Sequence, residues 1–155
     1  MLRWNMLFLF AMLCAGVKAS ESLVRESQEG NLVFYTGSVT LSGEFTRRTD
    51  RLTLELLGDK LCFSAVGVSA KLIPREDDSR APWFCFSNGQ EAMQMLQVPA
   101  SKPPEGKCGY SGEATLTVTR YIADRNESCV SDMAQLIDVI ASTMPQLIDC
   151  PDEEK

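Results

Sequence analysis

The chain has 155 residues, with 15 Lys+Arg against 21 Asp+Glu and a net charge of −6. That balance argues against nonspecific binding to nucleic acid or anionic lipid, both of which need a basic footprint. No histidine occurs anywhere, which removes Ser-His-Asp and Cys-His catalysis, His-ligated zinc and every imidazole acid–base step.

Arg3 precedes an apolar run from Trp4 to Gly16, followed by Val17-Lys18-Ala19 before Ser20. A positive start, a short apolar core and a V-x-A ending predict a secretory signal peptide over 1–19. The run falls short of the roughly 20 residues that span a bilayer, and no later run approaches that length. Cys14 follows Leu13 rather than a small residue, so the product is expected to be soluble and unlipidated. Losing Arg3 and Lys18 with the leader takes the net charge from −6 to −8.

Residues 20–30 are polar and charged, and read as a flexible N-terminal arm. Next come Val33, Tyr35, Val39, Leu41 and Phe45 at odd positions, with Ser, Thr and Glu between them. This period of two predicts a long strand over 32–46, which Gly37 and Gly43 could bend. Asp50 to Gly58 alternates leucines like a strand, yet Asp50 could cap a short helix that Gly58 ends; the helical turn is preferred. Short strands follow at Leu61-Cys62-Phe63 and at Trp83-Phe84-Cys85-Phe86, with a charged tip over 75–80 between them. Ser87-Asn88-Gly89 is a turn, and Glu91 to Val98 a short helix. A second long strand runs from Cys108 to about Ala123, with Tyr110, Ala114, Leu116, Val118 and Ile122 on one face. Arg120 breaks its parity, as a bulge would. Beyond Ser131, Met133, Leu136, Ile137, Ile140, Met144, Leu147 and Ile148 fit one face of an amphipathic helix that Pro145 ends or kinks. The expected organisation is therefore a leader (1–19), an arm (20–30), one domain with a C-terminal helix (31–150) and an acidic tail (151–155).

Five cysteines remain after the leader: Cys62, Cys85, Cys108, Cys129 and Cys150. In an exported chain they read as disulfides first, and none has C-x-x-C spacing for a redox pair or zinc. Flanking core residues put Cys62 and Cys85 on the same side of neighbouring strands, which favours their bond; Cys85–Cys108 is the rival. Cys129–Cys150 would have to reach back along the C-terminal helix. An odd count leaves a thiol that is free or joins a partner, so a covalent dimer is one expectation. Asn126-Glu127-Ser128 fits the N-glycosylation pattern.

Long bent strand, short strands, helix, long bent strand: in element order this resembles a small OB-like five-stranded β-barrel of α+β, mainly β, class, with the C-terminal helix added. Ser42-Gly43-Glu44 and Ser111-Gly112-Glu113 place a glycine in each long strand where it would curve. Gly58-Asp59 with Cys62-Phe63, the W-F-C-F run at 83–86 and Cys108-Gly109-Tyr110 resemble a group of uncharacterised exported bacterial proteins. That resemblance implies a barrel of this kind and no particular activity. OB-like barrels bind on their second and third strands, here near 61–66 and 82–88.

No catalytic residue is assigned. Glu44, Asp59, Glu113 and Asp124 read as solvated carboxylates, and no metal-ligand spacing, phosphate loop or cofactor motif occurs. The candidate ligand-binding residues are Trp83, Tyr110 and Tyr121 with Arg47, Arg48 and Arg120, since arginine beside an aromatic suits a carboxylate, a sugar acid or a protein loop. The expected function is an exported, periplasmic or secreted binding module for a protein or envelope glycan. A thiol-dependent envelope enzyme or redox protein, and a structural envelope subunit, are the alternatives.

Overall fold

A computed structural model describes residues 22–74, 81–126 and 131–151. The leader 1–19, the charged tip 75–80, Cys129 and the end of the acidic tail, 152–155, lie outside the described residues.

Alternating apolar residues build the first long strand, β2 (Leu32–Arg48), and its odd positions Val33, Tyr35, Val39, Leu41 and Phe45 are all buried. The second, β5 (Lys107–Asp124), lies antiparallel to it over nearly its whole length. Between them come α1 (Arg51–Leu57), β3 (Leu61–Ala65), β4 (Trp83–Phe86) and α2 (Gly89–Met95). Asp50 caps α1, its side chain accepting from the Thr53 N–H at 3.0 Å, and Gly58 ends the helix at φ 73°. The preferred helical reading of this segment therefore holds.

The strand pairings close a ring: β2 to β3, β3 to β4, β4 to a strand at Asp132–Ser142 (β6), β6 to β5, and β5 back to β2. Only β4 and β6 run parallel. Two further strands lie outside the ring, making the sheet seven-stranded: β1 (Val24–Glu29) on β2 and β7 (Gln146–Asp149) on β5. Phe45, Phe63, Phe84, Leu116, Leu136 and Tyr121 fill the core. Both S-G-E glycines make room there. A Cβ on Gly43 would meet the Ser64 carbonyl at 2.1 Å and the Phe63 ring at 2.9 Å, and one on Gly112 would strike the Phe45 ring at 2.4 Å.

Three expectations need correction. Residues 24–29 of the expected arm form strand β1, a polar edge held by backbone pairing rather than by an apolar face. The expected C-terminal helix is instead β6 and β7. Ile137 and Ile140 are extra residues in β6 where its register with β5 slips, and both are exposed. Two bulges three residues apart turn a period of two into helix-like i, i+3 spacing. The third correction is Ile122, which lies half-exposed while Tyr121 and Ala123 point inward. Arg120, at φ 49°, shifts the inward set of β5 from Leu116 and Val118 to those odd positions.

Among the described residues two disulfides tie this sheet. Cys62 and Cys85 are direct register partners across β3 and β4 and are bonded, as expected. Cys150 bonds to Cys108, which overturns both Cys85–Cys108 and Cys129–Cys150. With β7 a strand alongside the start of β5, Cys150 needs no helix to fold back along.

Candidate functional site

The six candidate residues fall into three places. Arg47 and Tyr110 are register partners in β2 and β5, and both are buried. Arg47 continues the inward odd positions after Phe45, so its guanidinium enters the protein and must find acceptors there. It finds them for all five N–H donors. Nε and Nη2 fork onto Asp59 at 2.8 and 2.7 Å. Nη1 donates to the Pro99 and Ser101 carbonyls at 2.6 and 3.1 Å, and Nη2 also to that of Ala100 at 3.2 Å. The Arg47 hydrogen bond holds the Asp59 carboxyl below its ordinary pKa against partial burial, and Asp59 in turn raises Arg47. This arginine clamps the 99–101 loop to the ring and has no donor left for a ligand.

Tyr121 is fully buried, stacked edge-on against Tyr35 and Phe84. Its hydroxyl donates to Asp132 Oδ2 at 2.5 Å, and the Asp124 N–H donates to Asp132 Oδ1 at 2.9 Å. Its role is to join the end of β5 to the buried start of β6. Arg120, next to it, is exposed.

Trp83 and Arg48 do come together. The outward positions of three neighbouring ring strands are Thr46 and Arg48 on β2, Cys62 and Ser64 on β3, and Trp83 on β4, with Thr46 opposite Cys62 and Ser64 opposite Trp83. Helix α1 leans over them with Thr53 and Leu57, and Lys60 follows it. Together these side chains line a cleft of about 170 Å³. One wall is the half-buried indole, Cys62, bonded to Cys85, lines it as well, and Arg48 and Lys60 bring positive charge. Arg48 Nε donates to the buried Asp50 at 3.0 Å, which orients the guanidinium while leaving two fifths of its side chain exposed. Burial opposes ionisation of Asp50, but the Thr53 N–H, Arg48 and the Thr53 hydroxyl outweigh it and hold the pKa below the ordinary value. Sequence reasoning missed Lys60; its position between the Gly58 cap and β3 was the available signal.

The carboxylates behave otherwise. Asp59 belongs to the Arg47 clamp, and Asp124 accepts from the Asn126 N–H at 2.8 Å. Glu44 and Glu113 are direct partners on the exposed face of β2 and β5, beside a groove of about 490 Å³. Among the described residues no group of three acidic or sulfur ligands could hold a metal, and no helix is long and apolar enough to cross a membrane.

The short motifs have structural roles. Gly58 ends α1, Asp59 anchors Arg47, Cys62 and Cys108 are bridged, and Phe63, Phe84 and Phe86 fill the core. A Cβ on Gly109 would meet the Arg47 carbonyl at 2.2 Å. No family model, curated protein or solved structure matches the chain.

Proposed function

We propose that this chain is an exported, disulfide-supported binding module that does no chemistry, and that the Trp83 cleft takes a carboxylate side chain of a protein partner. The observation that carries the reading is the meeting of an indole, Arg48 and Lys60 over one small cleft in an otherwise acidic protein. Guanidinium and ammonium groups beside an aromatic face suit a carboxylate with an apolar stem. The size of the cleft supports a side chain over a free metabolite, since small-molecule pockets usually run from about 300 to 1,000 Å³.

The ring supports an OB-like reading of the fold. Numbering only its five strands, the order is first, second, third, fifth, fourth and back to first, with α2 between the third and fourth. The cleft lies on the first three, the neighbourhood such barrels use for ligands. Two disulfides support an oxidising destination. The lack of histidine supports a role without imidazole acid–base catalysis.

Trp83 is the one tryptophan after the leader, because the only other is Trp4. Its emission therefore reports the cleft directly. Titration with a glutamate-rich peptide should change that emission saturably, more weakly at high salt, and R48A/K60A should weaken the effect at least tenfold in a protein that still unfolds cooperatively, its midpoint lowered by the loss of the Arg48–Asp50 pair. An emission that ignores the peptide, or a response that survives in R48A/K60A, would sink the assignment.

A further inference from the structure

At the far end of the long strands, three neighbours each leave regular pairing at the same level. Strand β1 carries Glu26 as an extra residue between its pairs Arg25–Tyr35 and Ser27–Phe34. Strand β2 sets Thr36 and Gly37 against the single residue Arg120, between Tyr35–Tyr121 and Ser38–Thr119. The register of β5 with β6 slips there as well, between Thr119 and Ile122. Bulges re-aim side chains and gather beside binding sites. Here they open a cleft of about 450 Å³ lined by Glu26, Phe34, Thr36 and Arg120 above the buried Tyr35 and Tyr121.

Arg120 stands out by its backbone. Its φ of 49° is left-handed, a conformation disfavoured for any residue with a Cβ. Among the described residues the other non-glycine residue with positive φ, Gln97, follows helix α2, where such a conformation is common. Arg120 lies within an 18-residue strand, opposite Gly37, which meets the same demand with glycine at φ 89°. Among the described residues the Arg120 side chain has neither a hydrogen bond nor an ion pair, although Glu26 lines the same cleft. Glycine would meet this backbone demand without the Cβ penalty, so the backbone does not explain an arginine at this position.

We propose that this cleft binds a small sugar acid. Arg120 takes the carboxylate, in the bidentate geometry a guanidinium offers. Glu26 and Thr36 take ring hydroxyls, and half-buried Phe34 provides the apolar wall. Glu26 explains the choice of class. A carboxylate in the wall repels a phosphate dianion more than a carboxylate monoanion, and it accepts hydrogen bonds from hydroxyls. The volume falls within the range of small-molecule sites. This site is independent of the Trp83 cleft: Thr36 and Thr46 are ten residues apart on β2, up to about 33 Å along an extended strand.

Glucuronate, titrated into the 15N-labelled chain with its disulfides formed, should shift the Glu26, Thr36 and Arg120 amides saturably at millimolar concentration. Glucose and acetate should each bind at least tenfold more weakly. R120G should lose glucuronate binding at least tenfold while its thermal midpoint stays level or rises by roughly 3 °C, because glycine relieves the left-handed backbone. Three results overturn the proposal: no saturable shift at tens of millimolar glucuronate, glucose or acetate binding as well as glucuronate, or R120G keeping the binding. A lowered midpoint in R120G overturns it too, since Arg120 would then serve the fold.

Discussion

Arg47 and Arg120 are the same residue type at opposite ends of the paired long strands, and they meet opposite circumstances. Arg47 keeps the inward parity of β2, is buried, and spends all five donors on Asp59 and three backbone carbonyls. Arg120 interrupts the parity of β5, is exposed, and sits in a left-handed backbone. A satisfied arginine explains part of a fold. A strained and exposed one is explained by the fold only at a loss, and points outward to a ligand.

The comparison can be broken at several points, the largest effect first. The Cys108–Cys150 bond secures the Arg47 end, where the Thr49 N–H donates to the Cys108 carbonyl at 2.9 Å. Its sequence separation of 42 corresponds to about 4 kcal/mol of unfolded-chain entropy, so C108A/C150A should lose most of that in urea unfolding. A loss under about 1 kcal/mol would show that this end is held by the Arg47 clamp without the bond.

Next in size is Arg47 itself. R47M removes the fork on Asp59 and three carbonyl bonds, and should destabilise by roughly 3 kcal/mol. Asp59 is half-exposed and can rehydrate, which keeps the loss from being larger. An R47M protein as stable as the parent would sever the two ends of the comparison.

Acid gives a smaller effect at the same end. Asp59 and Asp50 both have folded pKa values below the ordinary one. A depressed folded pKa contributes stability that is whole above the unfolded value of about 4, and is lost as pH falls from there through the folded value. Urea stability should therefore decline below about pH 4, with a shallower slope in D59N. Equal slopes would remove Asp59 from the acid response.

Much of this was legible in the residues. Parity placed Phe45 inside, but the expected strand stopped at Thr46, so the burial of Arg47 one residue further on went unread and Arg47 was expected at a ligand. Tyr110 shared a face with Leu116, and Phe84 and Phe86 inside left Trp83 outward. The Asp50 cap and the Cys62–Cys85 bond followed from local pattern. Bulges hid the rest. Ile137 and Ile140, each added to β6 beyond its strict pairing, imitated a helix. Arg120 signalled a break in β5, but spacing alone could not show that the break turns Tyr121 inward and joins Arg120 to Glu26 and Thr36 from two other strands. Registers between strands far apart in sequence decide such meetings, and one extra residue reverses every side chain beyond it.

Urea unfolding of the parent, R47M and R120G in one buffer, followed by Trp83 emission, tests the contrast most directly. R47M should unfold at clearly lower urea, and R120G at equal or higher urea than the parent. A loss in R120G as large as that in R47M would mean that both arginines serve the fold, and the outward role assigned to Arg120 would be wrong.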